Sequence, residues 1–100
     1  MTGRKYQVFM APSAHRRYKK FDPSLQQRIK EEAKKLSEDP NAYKELKGPL
    51  RGIRSYSFDY GKAQYRIAYQ VLEEKKEIDV VLVRSREGFY QTLRRIIKSG

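Results

Sequence analysis

Two strand-like runs separated by a very short charged link constrain the fold more than any other feature of this sequence. Residues 65–72 and 78–84 are rich in Tyr, Ile and Val, whereas residues 73–77 are all Glu or Lys. Such runs joined so briefly are typical of neighbouring antiparallel strands. Because Arg66 lies near the start of the first run and Arg84 at the end of the second, this pairing brings both to one end of the sheet. We therefore expect two guanidinium groups to converge there, where their planar, permanent charge suits phosphate.

The rest of the chain alternates between further strand and helix patterns. Ser13 is the expected N-cap of a first helix, and Asp22, followed by Pro23, that of a second. A strand is predicted at 5–10, helices at 14–21 and 23–36, a loop at 41–52, a strand at 53–60 and a last helix at 89–98. We therefore predict a single α+β domain over residues 1–100, with an N-terminal strand, an αα-hairpin, an antiparallel sheet of about four strands and a C-terminal helix.

The charge makes a polyanion the expected partner. Of 100 residues, 23 are Lys or Arg and 12 are Asp or Glu, which gives a formal net charge of +11 at pH 7. Nucleic acid is favoured over a membrane, because there is no lipidation motif and no basic helix with a Trp/Phe-rich face. The basic pairs of the two early helices form either a solvated face or a surface for that polyanion; they are Arg16-Arg17, Lys19-Lys20 and Lys34-Lys35.

Cysteine usage and hydropathy bear on the compartment. The chain has no cysteine, which excludes disulfides and thiolate metal sites and suits a reducing cytosol. No apolar stretch is long enough for a signal peptide or a membrane span. We therefore expect a cytoplasmic protein that does not enter a membrane.

Three segments carry a resemblance to a known family. They are LKGPLRG at 46–52, YRIAYQV at 65–71 and RSREGFY at 84–90. In this order and spacing they are similar to the RelE/ParE toxin superfamily of bacterial toxin–antitoxin modules, over nearly the whole chain. The resemblance implies a toxin with a RelE-like fold that a cognate antitoxin neutralises. RelE-like members cut mRNA in the ribosomal A site without a metal or other cofactor, whereas ParE-like members share the fold and poison DNA gyrase.

The resemblance also implies site residues. RelE-like active surfaces combine lysines on the second strand, an arginine on the third, an arginine ending the fourth and a tyrosine beyond it. The third-strand arginine matches Arg66, the fourth-strand arginine matches Arg84, and the tyrosine matches Tyr90. Arg86 is the alternative for the fourth-strand position, because a small shift in the loop exchanges it with Arg84.

The lysine positions depart from this pattern. They fall on Ser57 and Asp59, neither of which supplies a cation. Asp59 is instead the candidate proton acceptor. Basic side chains from other parts of the chain are expected to reach the site and contact RNA; they are Lys47, Arg51, Arg54 and Lys62.

Metal-free RNA cleavage assigns a task to each candidate. The reaction activates the ribose 2′-OH, stabilises a pentacoordinate phosphate and protonates the leaving 5′-oxygen. Arg66 is expected to stabilise the phosphate, Arg84 to contact the phosphate or the leaving oxygen, and Tyr90 to stack on a base or bond the phosphate. Structural alternatives stay open: Arg66 paired with Asp59 or Asp79, and Tyr90 in the core. Asp59 as an ion-pair partner rather than a base, and one of Arg84 and Arg86 as a purely structural charge of the loop, are open as well. Other functional alternatives are a gyrase poison without nuclease activity and a plain RNA-binding relative.

Overall fold

The computed structural model describes residues 6–99, and the side chains of residues 6–98. Lys5, which we assign to the first strand, lies outside the described residues. The three helices are α1 (Pro12–Lys20), α2 (Pro23–Glu38) and α3 (Phe89–Ser99). The five strands are β1 (Gln7–Met10), β2 (Lys44–Glu45), β3 (Arg54–Tyr60), β4 (Ala63–Leu72) and β5 (Glu77–Ser85).

The strands form one mixed sheet in the order β1-β5-β4-β3-β2. The predicted antiparallel pairing of β4 with β5 is confirmed, and β3 pairs antiparallel with β4. β1 pairs in parallel with the edge of β5 that faces away from β4. The α+β class is confirmed, but the sheet has five strands and is not wholly antiparallel.

Helices cover both faces of the sheet. The αα-hairpin of α1 and α2 packs on one face, where Ile29 and Leu36 of α2 meet Ile67 and Ile78 of the strands in a buried cluster. The other face carries α3, whose Phe89 and Leu93 pack against buried residues that include Ala68 and Leu82. Within residues 6–99, no helix has the length and hydropathy needed to cross a bilayer.

A buried carboxylate ties the hairpin to the sheet. Glu32 of α2 is only 2% exposed, and it accepts hydrogen bonds from the Tyr56 hydroxyl at 2.5 Å and from Arg28 Nε at 2.7 Å. Burial by itself raises the pKa of Glu32, but these two hydrogen bonds and the positive charges of Lys35 and Arg28 together outweigh it, so the pKa ends below its usual value. Burial and the bond to this carboxylate raise the pKa of Tyr56.

Two local predictions are wrong. Ser13 is not the N-cap of α1, because the helix already begins at Pro12, whose fixed φ suits the first helical position. Residues 44–45, predicted as loop, form the short strand β2 beside the start of β3. Two residues are too few to show an alternating pattern, and both side chains are exposed. Asp22 does stand at the N-cap of α2, with Pro23 as the first helical residue.

Candidate functional site

Three polar side chains form a row across the sheet on the face that carries α3. Ser57 of β3 lies opposite Arg66 of β4, and Arg66 lies opposite Arg84 of β5. Residues directly opposite each other on neighbouring strands point to the same face. The predicted convergence of Arg66 and Arg84 is therefore present, and Arg84 rather than Arg86 is the cross-strand neighbour of Arg66.

A β-bulge creates this row. The pairing of β4 with β5 shifts by one residue between Ala68 and Tyr69. If the pairing of Tyr69 to Leu72 continued without the shift, Val83 would stand opposite Arg66, and Arg84 would point to the other face. The extra residue thus brings the second arginine to the first.

The guanidinium of Arg66 is held in place from two sides. Its Nη1 donates to the Tyr90 hydroxyl at 2.5 Å, and its Nη2 donates to Gln64 Oε1 at 3.2 Å. The guanidinium carbon also lies 5.3 Å from the centre of the Tyr90 ring, which is cation–π geometry. Each terminal nitrogen carries two N–H groups and keeps one for a further acceptor.

Arg66 has no carboxylate partner in the described part of the chain. Among the described side chains it forms no ion pair, so the structural alternatives with Asp59 and Asp79 are not realised. Its buried Nε has no hydrogen-bond partner within the part of the chain that the structure describes. A buried polar group without a partner costs about 1–3 kcal/mol, so its surroundings are not arranged for stability alone.

Arg84 is positioned by the turn that leads into α3. Its Nε donates to the backbone oxygen of Glu87 at 3.2 Å, which leaves its two terminal nitrogens without a protein acceptor among the described residues. Gly88 closes this turn with a φ of +71°, and a Cβ there would lie 3.1 Å from Arg84 Nη2. A glycine therefore gives the Arg84 guanidinium room beside the backbone.

Three more predicted residues lie at the same end of the sheet. Asp59 is exposed and stands opposite Gln64, two residues beyond Ser57 on the same face of β3. Lys62 is exposed in the β3–β4 turn. Arg86 is exposed just after β5, where its backbone N–H donates to the Gln64 carbonyl oxygen at 2.7 Å.

The structure does not bring the other predicted basic residues close to Arg66 and Arg84. Arg54 lies three residues before Ser57, about 10 Å along the strand. Its side chain points to the other face of the sheet, where its cross-strand neighbour is Tyr69. Its guanidinium donates to the Tyr43 carbonyl oxygen at 2.6 Å and faces Glu45. Lys47 and Arg51 are exposed in the loop before β3, which packs through buried Leu46, Leu50 and Ile53 against the α3 face of the core.

Gln64 is the site residue that the sequence analysis missed. It lies two residues before Arg66 on β4, so both side chains point to the same face. This spacing was available in the sequence, but it does not show whether an amide there bonds the arginine or faces solvent. We name the group formed by Ser57, Gln64, Arg66, Arg84 and Tyr90 the arginine cluster.

The fold and the arginine cluster together define a class: a small, strongly basic α+β domain whose sheet ends in two neighbouring arginines and a helix-borne tyrosine. Residues 8–94 match the family model of the ParE-like toxin of type II bacterial toxin–antitoxin systems. The chain belongs to this toxin family.

Individual relatives agree with this assignment. A provisionally assigned RelE-like toxin protein of Escherichia coli is 32% identical over 84 residues, which cover 83% of this chain and 85% of the relative. The toxin–antitoxin complex RelBE2 of Mycobacterium tuberculosis contains a chain that is 26% identical, with a TM-score of 0.69 and coverage of 82% of this chain and 92% of that one. The isolated RelE toxin of E. coli shares the fold, with a TM-score of 0.65 at 22% identity, over 91% of this chain and 98% of that one.

Proposed function

We propose that this toxin is a ribosome-dependent endoribonuclease that cuts mRNA in the ribosomal A site and so inhibits translation in the cytoplasm. The observation that carries the proposal is the pairing of Arg66 with Arg84 across the sheet, on a face where Arg66 has no carboxylate partner among the described side chains. Two guanidinium groups with unused N–H donors match a phosphate whose negative charge increases in the transition state.

The proposed reaction is attack of the ribose 2′-oxygen on the adjacent phosphorus. The bond from phosphorus to the 5′-oxygen breaks, and the products are a 2′,3′-cyclic phosphate and a 5′-hydroxyl. Arg66, oriented by Tyr90 and Gln64, stabilises the pentacoordinate phosphate with the N–H groups that its protein partners leave unused. Arg84 neutralises charge on the phosphate or on the leaving oxygen, which takes its proton from water. In this scheme no metal or other cofactor takes part.

Asp59 is the proposed acceptor of the 2′-hydroxyl proton. It is the carboxylate that β3 presents on the face of the arginine cluster, and it is exposed. Lys62 and Arg86, exposed at the same end of the sheet, are proposed to contact flanking RNA phosphates. Lys47, Arg51 and Arg54 have no part in the scheme, because they lie towards the other end of β3.

A cognate antitoxin is the proposed protein partner. The RelBE2 complex and the intact RelBE complex of E. coli, whose toxin-like chain is 25% identical with a TM-score of 0.63, are both toxin–antitoxin assemblies. An acidic or amphipathic antitoxin segment would complement the net charge of +11 and mask the arginine cluster or α3.

The second candidate is a DNA gyrase poison without nuclease activity. Two observations favour it: the matching family is described as ParE-like, and Ser57 and Asp59 replace the lysines of the RelE-like pattern. The arginine cluster favours the nuclease, because a gyrase poison does not require converging phosphate ligands.

Primer extension on mRNA from a purified translating extract tests the proposal. Wild-type toxin is expected to produce new cuts in phase with codons. Arg66→Ala is expected to lower the cleavage rate about 100-fold or more, because it removes a preorganised charge from the transition state. Asp59→Asn is expected to slow cleavage while ribosome binding persists.

The matched control is Arg95→Ala, which removes the same charge from an exposed position of α3 outside the cluster. It is expected to cut like the wild type. A parallel supercoiling assay with DNA gyrase separates the two candidates. Intact mRNA together with inhibited gyrase would refute the nuclease and establish the gyrase poison.

A further inference from the structure

A basic cleft lies on the face of the sheet that carries the αα-hairpin, at the same end as the arginine cluster. Its volume is about 420 Å³, which falls within the range of small-molecule sites. Two basic residues from α1, Arg17 and Lys20, line it together with Arg84 of β5. The rings of Phe21 and Tyr65 complete the lining. We name it the hairpin cleft.

The charge of the hairpin cleft is not neutralised within the described part of the chain. No carboxylate is among its lining residues. Arg17 and Lys20 are exposed and form no ion pair with another described residue. The carbonyl end of α1 contributes about half a negative charge nearby, which is less than the charge of Arg17 and Lys20 together. An anion is therefore the ligand that this cleft suits.

The aromatic lining adds a surface for a flat ligand. Phe21 and Tyr65 are half-buried and meet edge to face, with ring centres 6.2 Å apart. Phe58 stacks on Tyr65 at 5.9 Å and supports it from the core. Nucleobases bind to such rings with little dependence on sequence. Cations beside rigid aromatic rings favour a nucleotide over a ligand that is only an anion.

The hairpin cleft adjoins the arginine cluster. Arg84 belongs to the cluster and also lines the cleft. The next pair along the two strands, Tyr65 opposite Ser85, points to the hairpin face because successive strand residues alternate. A chain that passes round the end of the sheet can therefore contact both sites.

We propose that the hairpin cleft binds a nucleotide of single-stranded RNA that adjoins the phosphate held by Arg66 and Arg84. Arg17 and Lys20 bind its phosphate, and its base packs against Tyr65 and Phe21. This subsite rests on the proposed nuclease function and extends it, because it assigns to the toxin an RNA path over two faces of the sheet. The proposal also distinguishes Arg17 and Lys20, which bind the RNA, from Arg16 and Lys19 of the same helix, which do not line the cleft.

A binding experiment with a matched control tests the subsite. The probe is a fluorescein-labelled 12-nucleotide RNA with 2′-O-methyl groups throughout, which cannot react through its 2′-oxygens, and the readout is fluorescence anisotropy. Arg17→Ala with Lys20→Ala is expected to weaken binding about 10-fold and to reduce the salt slope by about 1.4, since two phosphate contacts are lost. Arg16→Ala with Lys19→Ala removes the same charge from the same helix, outside the cleft lining, and is expected to weaken binding less than about 2-fold.

The base contact is tested separately. A 2-aminopurine moved one position at a time along the probe is expected to be quenched by the wild type at a position beside the held phosphate, and to lose this quenching in the Arg17/Lys20 variant.

Equal loss of affinity in the two double variants would overturn the subsite, because it would show that the RNA responds only to the general electrostatic field of the helix. Poly-glutamate provides a second test. If the Arg17/Lys20 variant loses affinity for poly-glutamate by the same factor as for RNA, the subsite is refuted, because the cleft would then bind an acidic peptide as well as RNA.

The two proposals fail in different assays. If the wild type leaves ribosomal mRNA intact while the Arg17/Lys20 variant alone loses RNA affinity, the nuclease function is refuted and the RNA subsite is supported. If the wild type cuts mRNA and the two double variants bind RNA equally, the nuclease stands and the subsite is refuted.

Discussion

Arg66 has surroundings that differ from those of an arginine held by ion pairing. Its partners are a tyrosine hydroxyl and an amide oxygen, and its Nε has none among residues 6–99. Neutral acceptors orient the guanidinium but leave its charge uncompensated. This charge is then available to an incoming phosphate, which is how a preorganised site lowers a reaction barrier. The function of Tyr90, in this scheme, is to position Arg66.

The hydroxyl and the ring of Tyr90 are separable by mutation. Tyr90→Phe keeps the ring beneath Arg66 but removes the 2.5 Å hydrogen bond. We expect the cleavage rate on ribosomes to fall about 10-fold, equal to about 1.4 kcal/mol in the barrier. Tyr90→Ala, which also removes the cation–π contact, is expected to lose more. The single-turnover rate measures this, and equal rates for wild type and both variants would exclude a positioning role.

Gly88 provides a test of the position of Arg84. In Gly88→Ala the new Cβ would stand 3.1 Å from Arg84 Nη2, so the guanidinium must move. We expect a loss of about 1 kcal/mol in unfolding free energy from the positive φ, together with slower mRNA cleavage.

Gly48→Ala is the control, since Gly48 has a similar φ of +66° and a Cβ there meets nothing within 4 Å. Urea unfolding should show a comparable loss in both variants, with cleavage lowered only in Gly88→Ala. Equal cleavage by the two variants would contradict the role assigned to the Arg84 guanidinium.

Among the elements, α2 is fastened to β3 by a polar contact inside an apolar layer. Glu32 accepts from Tyr56 of the sheet and from Arg28 of its own helix, and Lys35 lies 3.6 Å away. Satisfied buried groups of this kind stabilise one arrangement of the layers, whereas removal of one partner leaves the others unpaired. The hairpin that carries the hairpin cleft is therefore oriented by this contact.

Removal of the Glu32 carboxylate should destabilise the fold in a pH-dependent way. Glu32→Ala is expected to lower the unfolding free energy by about 2 kcal/mol at pH 7, because Tyr56 loses its acceptor. The pKa of Glu32 is lowered from 4.5 in the folded protein, so the ionised form stabilises the fold. This contribution is complete above about pH 4.5 and is lost as the pH falls through the lower folded-state pKa.

Urea titrations between pH 3 and pH 7 measure this effect. The difference between wild type and Glu32→Ala should be constant near neutrality and shrink in acid. Glu31→Ala, at the exposed neighbouring position, is the control and should unfold like the wild type. A difference that does not change down to pH 3 would show that packing rather than the charge of Glu32 is responsible.

In the whole molecule, two carboxylates with ordered partners lie at the end of the sheet away from the arginine cluster. Glu73 accepts hydrogen bonds from Tyr6 and Asn41 beyond the far end of β4, and these bonds lower its pKa. Glu45 faces Arg54 near that same end. The end with the arginine cluster and the hairpin cleft instead presents cations without carboxylate partners in the described structure. We therefore expect a polyanion to be drawn to this end.

RNA affinity should accordingly depend steeply on salt. Four phosphate contacts, from Arg66, Arg84, Arg17 and Lys20, predict a slope of about −2.8 in log affinity against log salt. Affinity for the 2′-O-methyl RNA should then fall about 50-fold between about 50 and 200 mM NaCl. Sucrose at matched osmolarity is the control and should have little effect. A slope shallower than about −1 would show that the charge of +11 is not engaged with RNA.

The sequence alone determined the features that depend on local pattern. Periodicity and turn residues predicted all three helices, the strands β1, β3, β4 and β5 and the pairing of β4 with β5. The same pairing predicted that Arg66 and Arg84 share one end of the sheet. These features follow from the sequence because alternation, helical periodicity and short links act between residues that are close along the chain.

Tertiary structure decided the features that depend on distant contacts. The bulge placed Arg84 rather than Val83 opposite Arg66, and α3 brought Tyr90 onto the guanidinium. Arg54 was drawn instead to Tyr43 and Glu45. A register shift by one residue exchanges the two faces of a strand without changing its local pattern. Which basic residues converge was therefore settled by the packing of both helical layers on the sheet.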